Sequence, residues 1–207
     1  GPSGDAHAPF TYRSREPPAA GHRGPGRSAM TPPPSGAERK ASARERRLEV
    51  SWDPSGQVMA AAREGRYGGG RELLQGIVDG ELPQPPIASL FGYELTEVGD
   101  GRAVFECVPG EQHYNPMDVV HGGVAATLLD SAMGCAVHTG LPIAVGYTTL
   151  ELKVNYLRPM TQRTGRVRAI GTVLHSGRST ALAEGRLEDG RGRLVAHATT
   201  TCILFRS

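Results

Sequence analysis

The residues whose types and spacing could do chemistry fall in one run, HYNPMDVVHGGVAATLLDSAM, residues 113–133. His121, Gly122 and Gly123 stand where a helix should begin. Glycine admits a ligand close to the backbone. The first turn of a helix carries N–H groups without intrahelical partners, at the positive end of the dipole. Such a mouth can hold a developing oxyanion. Asp130, eight residues after Gly122, is an ionisable group in apolar surroundings, where desolvation raises a carboxyl pKa and suits it to base chemistry. Each feature also has a plain structural reading: Gly-Gly as a tight turn, a core Asp as a hydrogen-bonding strut. Their occurrence together, just after Asn115-Pro116, favours a site.

These residues need elements to position them. Asn115-Pro116 predicts a turn, because the residue before proline is pushed out of the helical region. Val124, Ala125, Ala126, Leu128, Leu129, Ala132, Met133, Ala136 and Val137 are apolar on every side rather than along one stripe, which predicts a buried helix. Residues 93–98 and 102–108 alternate around Gly99-Asp100-Gly101, a hairpin signal. After the helix, residues 146–157 place Thr148, Leu150, Leu152, Val154 and Tyr156 on one face and Thr149, Glu151, Lys153 and Asn155 on the other. Residues 165–175 and 178–188 form a second hairpin around Ser176-Gly177, and residues 194–204 a last strand. The links after the helix are short enough for antiparallel neighbours. Two strands, one helix and four strands predict an α+β domain, an antiparallel sheet curled round one long central helix.

Composition bounds the rest. Of 207 residues, 1–47 are dominated by Pro, Gly, Ala, Ser and Arg, and half of the 16 prolines fall before residue 35. Such a segment cannot bury enough apolar surface to offset its ordering entropy, so a disordered extension is expected. Residues 1–50 hold 9 of the 23 Lys/Arg and 5 of the 21 Asp/Glu, but no aromatic interleaving or motif makes that excess a nucleic-acid surface. An Arg- and Ala-rich leader of this kind also fits an organellar transit peptide. Residues 48–86 are expected as a short helical segment, with helices over 57–64 and 71–78 and an extended connector at Pro83, Pro85 and Pro86. Residues 87–207 form the main domain. Cys107, Cys135 and Cys202 have neither C-x-x-C nor zinc-type spacing and fit core thiols in a reducing cytoplasm. No metal site is expected, and no run reads as a membrane span.

Asn115-Pro116, His121-Gly122-Gly123, Ala126-Thr127-Leu128-Leu129-Asp130 and the run Glu151-Leu152-Lys153-Val154-Asn155-Tyr156-Leu157-Arg158-Pro159 together resemble the hotdog-fold acyl-CoA thioesterases of the phenylacetate type. The likeness spans residues 80–205 and extends to Gly177-Arg178 and to residues 194–198. It implies a hotdog fold and hydrolysis of an aromatic or medium-chain acyl-CoA, coenzyme A being part of the substrate, with no separate cofactor. It implies Asp130 as general base or nucleophile and the Gly122 N–H, beside Gly123, polarising the thioester carbonyl. His121 and Asn115 would orient thioester or water. A Ser or Thr after the helix would hold the water: alignment on Glu151-Leu152 points to Thr149, counting from Asp130 to Thr148. Arg158 and Arg178 would meet coenzyme A phosphates, a role to which Arg is suited.

Spacing adds an argument independent of the family. Eight residues of helix separate Asp130 from Gly122 by about 12 Å. One thioester carbon cannot lie within about 3 Å of both. If both serve one reaction, two chains contribute, which makes a homodimer the working unit; relatives often assemble further into tetramers. Two other readings stand beside this one. A hotdog hydratase or dehydratase is suggested by His113, Asn115, Pro116 and Asp118, although the Asp-x-Asn-Pro-x-His order is missing. A non-catalytic acyl-CoA-binding protein would use the same cleft. A serine hydrolase is disfavoured by the lack of a G-x-S-x-G elbow.

Overall fold

The computed structural model describes residues 56–206; the extension expected over 1–47 lies outside them. Helix α1 (Gln57–Arg63) and helix α2 (Gly70–Val78) come first. Leu73, Leu74 and Ile77 recur at helical spacing on α2 and are buried, as are Ala61 and Ala62 of α1, so this segment contributes to the main core. The connector expected at Pro83–86 is only partly extended. Pro86 opens a short helix α3 (Pro86–Phe91), because at the first helical position proline forfeits no hydrogen bond and its φ is already set. Gly92, left-handed at φ 64°, ends it.

Strands β1 (Tyr93–Gly99) and β2 (Arg102–Cys107) form the expected hairpin, and the central helix α4 runs over Gly122–Thr139. Then come β3 (Val145–Tyr156), β4 (Val167–Ser176), β5 (Thr180–Asp189) and β6 (Leu194–Arg206). All pair antiparallel in one six-stranded sheet of order β1-β2-β4-β5-β6-β3. One expectation is corrected here. The short link after β3 suggested that β3 and β4 are neighbours, but β4 pairs with β2, and β3 lies at the far edge beside β6. The helix carries the chain across the sheet from β2 to the opposite edge. The link through the 3-10 turn Gln162–Thr164 carries it back to the strand position left open beside β2.

The sheet wraps α4. Leu128, Leu129, Ala132, Met133 and Ala136 are fully buried on it, and each large side chain among them stabilises the fold by about 1.5–3 kcal/mol. The helix sits close on β4 because Gly171 lacks a side chain: a Cβ there would stand 2.2 Å from the Ala132 carbonyl oxygen. Ala132 and Met133 of the helix and Ala169, Ala183 and Ala198 of β4, β5 and β6 are all buried in one core. Among the described residues, no helix is long and apolar enough to cross a membrane.

Candidate active site

The turn before α4 is built by hydrogen bonds. The Asn115 side-chain oxygen accepts from the Met117 N–H at 2.9 Å, and the Asn115 N–H donates to the Val119 carbonyl at 2.8 Å. Asp118 takes the left-handed conformation, φ 59°, which Asp tolerates better than most residues. Beneath it lies His113, 6 % exposed. Its Nδ1 accepts from the Gly110 N–H at 3.1 Å, which leaves Nε2 to donate to the Phe91 carbonyl at 3.0 Å. The His113 carbonyl accepts from the His121 N–H at 2.7 Å. His113 is therefore a strut with both nitrogens engaged, so the likeness to a hydratase that rested partly on it finds no free imidazole there.

The helix mouth leaves one donor open. His121 caps α4: its Nδ1 accepts from the Gly123 N–H at 2.9 Å. That cap needs glycine, since a Cβ on Gly123 would lie 2.8 Å from the His121 Nδ1. The Val124 N–H donates to the His121 carbonyl at 3.0 Å. The Gly122 N–H has no acceptor among the described residues. It lies at the positive end of a helix of 18 residues, where an oxygen bearing negative charge is favoured. His121 itself is exposed, and its engaged Nδ1 leaves Nε2 free to donate outward.

Asp130 sits two turns further on and is half-buried. The Thr149 hydroxyl donates to its Oδ1 at 2.9 Å. Around the pair stand Tyr93, Cys135, Tyr147 and Cys202. Burial first, and the Asp130 charge after it, raises the pKa of each, Cys135 to about 12. These groups stay neutral near pH 7, so none of the nearby thiols is the thiolate that nucleophilic chemistry needs. Helix roll is fixed by the contact of the Tyr93 hydroxyl with the Ser131 hydroxyl at 3.1 Å.

Strict alternation on β3 is corrected. A bulge at Leu150 shifts the register against β6 between Thr149 and Glu151. Tyr147 and Thr149 therefore face the helix in one phase, and Leu152 and Val154 face it in the other. The extra residue re-aims the side chains on either side of it. This is why two ways of counting disagreed about the threonine. Thr149 touches Asp130, whereas Thr148 is exposed. The bulge is held from β6, where the Thr200 hydroxyl donates to the Glu151 carbonyl at 2.6 Å and the Thr201 hydroxyl to the Glu151 carboxylate at 3.1 Å.

Within one chain, then, the structure gathers Asn115, His121, Gly122 and Gly123 at the mouth, and Asp130 with Thr149 in mid-helix. It does not join the two groups. The Arg158 guanidinium donates to the Leu194 carbonyl on the strand-end side, and Arg178 is exposed in the turn between β4 and β5. One contact at the mouth was not foreseen. The ring of Tyr156, the last residue of β3, lies against Gly122, where a Cβ would meet its Cζ at 3.1 Å.

The chain has known relatives in sequence and in fold. Residues 117–196 match the thioesterase superfamily. A provisionally named esterase of Halobacterium salinarum is 33 % identical over 117 residues, 54 % of this chain and 73 % of that protein. The 1,4-dihydroxy-2-naphthoyl-CoA hydrolase of Listeria monocytogenes is 26 % identical over 110 residues, 53 % of this chain and 88 % of its own length. Among solved structures, the phenylacetic acid degradation-related protein of Ralstonia eutropha JMP134 superposes with a TM-score of 0.57 at 29 % identity, over 63 % of this chain and 98 % of that one. The chain belongs to the thioesterase superfamily, with its hotdog fold.

Proposed function

We propose that the protein is an acyl-CoA thioesterase that hydrolyses an aromatic or medium-chain acyl-CoA, and that two copies build each active site. The observation that carries this reading is the pairing of an unengaged N–H at Gly122 with a lightly engaged carboxylate at Asp130 on the same helix. The thioester carbonyl oxygen accepts from the Gly122 N–H. Asp130, oriented by Thr149, either takes a proton from the water that adds to the carbonyl carbon or attacks that carbon itself. The tetrahedral intermediate then collapses, the carbon–sulfur bond breaks, and coenzyme A leaves as thiolate and takes up a proton. Where Asp130 itself attacks, water then cleaves the acyl–Asp130 anhydride, releasing the acid and restoring the carboxylate. His121, through its outward Nε2, and Asn115 orient the thioester. Arg158 and Arg178 meet the coenzyme A phosphates. The names of the Listeria and Ralstonia relatives support an aromatic acyl group on coenzyme A.

The two-copy arrangement follows from distance. Gly122 and Asp130 are about 12 Å apart along the helix axis, too far for one carbonyl. Among the described residues, strand β3 is a sheet edge with a free side for hydrogen bonding. Tyr156 on β3 lies at Gly122 and Thr149 at Asp130. If β3 pairs antiparallel with the same strand of a second copy about a two-fold axis near Leu152 and Lys153, Thr149 of one copy comes beside Tyr156 of the other. That register brings the Asp130 of one copy to the helix mouth of the other.

The test is release of free thiol from phenylacetyl-, benzoyl-, hexanoyl- and decanoyl-CoA, followed with a thiol reagent. Turnover of at least one of them is expected. No thiol from any at micromolar protein overturns the thioesterase reading, and hydration of crotonyl-CoA without thiol release would replace it with a hydratase.

A further inference from the structure

Tyr156 has no part in the roles assigned so far, yet its ring supplies the atoms nearest to where a Cβ on Gly122 would stand. Its ring lies on the bare Cα of Gly122: a Cβ there would be 3.1 Å from Cζ, 3.2 Å from Cε1 and 3.3 Å from the phenol oxygen. Any other residue at 122 would make the ring give by a few tenths of an ångström. The contact leaves Tyr156 58 % exposed. Burial therefore does not explain why an aromatic side chain is held here. Across the sheet Tyr156 pairs with Ala196, which sets the strand end. Its hydroxyl has no hydrogen-bond partner among the described residues, in contrast to Tyr67, Tyr93 and Tyr114, whose hydroxyls bond Glu81, Ser131 and Gln162.

The distances allow both free donors to meet one oxygen. A glycine nitrogen lies about 2.5 Å from the position of its missing Cβ. The Tyr156 hydroxyl, 3.3 Å from that position, is then at most about 6 Å from the Gly122 nitrogen. An oxygen accepting from two donors at about 2.8 Å each spans up to about 5.6 Å between them. Side-chain rotation at an exposed strand end covers the difference.

We propose that the Tyr156 hydroxyl is a second donor to the thioester carbonyl oxygen, so that the oxyanion forming in the reaction is held by two hydrogen bonds, one from the Gly122 N–H and one from this phenol. This rests on the thioesterase reading above and makes Tyr156 a catalytic residue of it. As charge develops on the oxygen, both bonds shorten and strengthen. The phenol keeps its proton throughout, and the electron pair returns to re-form the carbonyl as the carbon–sulfur bond breaks. A donor of this kind acts on the transition state more than on substrate binding.

Tyr156→Phe keeps the ring on Gly122 and removes only the hydroxyl. With the acyl-CoA that the wild-type protein hydrolyses best, kcat should fall about 30- to 300-fold while KM changes less than about threefold, with an unchanged melting curve. A ketone analogue, in which a methylene replaces the thioester sulfur, reports the same contact without turnover. Its bound carbonyl stretch should move to higher frequency in Tyr156→Phe. A 3-fluorotyrosine placed at 156, a more acidic phenol, should move it to lower frequency and serves if the phenylalanine variant does not fold. Wild-type kcat in Tyr156→Phe, or a carbonyl stretch unmoved by either change, overturns the second donor and leaves the thioesterase reading standing. Wild-type protein that releases no thiol overturns both.

Discussion

Two aspartates in this chain are held in opposite ways. Asp189 closes the turn between β5 and β6. Its Oδ1 accepts from the Arg191 and Arg193 N–H groups at 2.9 and 3.0 Å, and its Oδ2 takes the Arg193 guanidinium at 2.7 Å. It is 5 % exposed. Asp130, on the central helix, receives one hydrogen bond among the described residues, from Thr149. A carboxylate offers about four lone-pair sites. At Asp189 they are engaged by its own chain, so the group is a staple. At Asp130 most are open, so the group can take a proton or a water. The large pKa shift falls on Asp189, drawn down to about 2 by the Arg193 side chain, so a perturbed pKa here marks the staple.

The sharpest way to break this contrast is Asp130→Asn. It keeps size and the bond to Thr149 but removes the base. Acyl-CoA turnover should fall at least about a hundredfold, with a melting temperature close to wild type. A variant within a few-fold of wild-type kcat means that Asp130 is a strut like Asp189.

The next prediction concerns where the open carboxylate acts. Gly122→Val puts a branched side chain where a Cβ alone meets the Tyr156 ring at 3.1 Å and should be inactive. If the site joins two copies, mixing it with Asp130→Asn and allowing subunit exchange creates dimers with one doubly defective and one intact site. Activity should return to about half of wild type per mixed dimer, as two-fold symmetry requires. Subunit exchange verified by mass, with no recovery, defeats the shared site and leaves the fold untouched.

Much of this was legible in the sequence, and what was not has physical reasons. The helix declared itself because its residues are apolar all round, and the hairpins because Gly-Asp-Gly and Ser-Gly break the alternation at the right places. Asp130 stood out as a charge in an apolar run. Strand order was not legible. A short link permits neighbours without requiring them, and the place of β4 is decided by where the helix sends the chain. The choice between Thr148 and Thr149 turned on one bulged residue, Leu150, which leaves no mark in a pattern that still alternates. Tyr156 was missed because its partner Gly122 is distant in the chain. The available signal was an exposed aromatic at a strand end, and it acquires meaning only when the strand is laid along the helix. The staple at Asp189 left no mark, because nothing in Asp189-Gly190-Arg191-Gly192 says that Arg193, four positions after the aspartate, will fold back onto it.

The smallest effect expected on catalysis, and the one that completes the contrast, belongs to Asp189→Asn. The Arg193 guanidinium beside Asp189, with two backbone N–H groups, holds its carboxyl at about 2 against an ordinary 3.8. A carboxyl whose pKa is lower in the folded than in the unfolded chain stabilises the fold above the unfolded value, and that contribution is lost as pH falls through the folded one. Asp189→Asn removes the charge at every pH. Its melting temperature should therefore lie below that of wild type at pH 7. The gap should hold down to about pH 4 and close as pH approaches 2, where wild type also carries a neutral group. Turnover per folded site should match wild type at neutral pH, because Asp189 touches neither the helix mouth nor the Asp130 cluster. Thermal melts of both proteins across pH 2 to 7 read this directly. A gap that persists unchanged at pH 2 would show that shape and hydrogen-bond geometry, not charge, hold the turn. A loss of kcat without a loss of stability would show that this carboxylate, too, is used in catalysis.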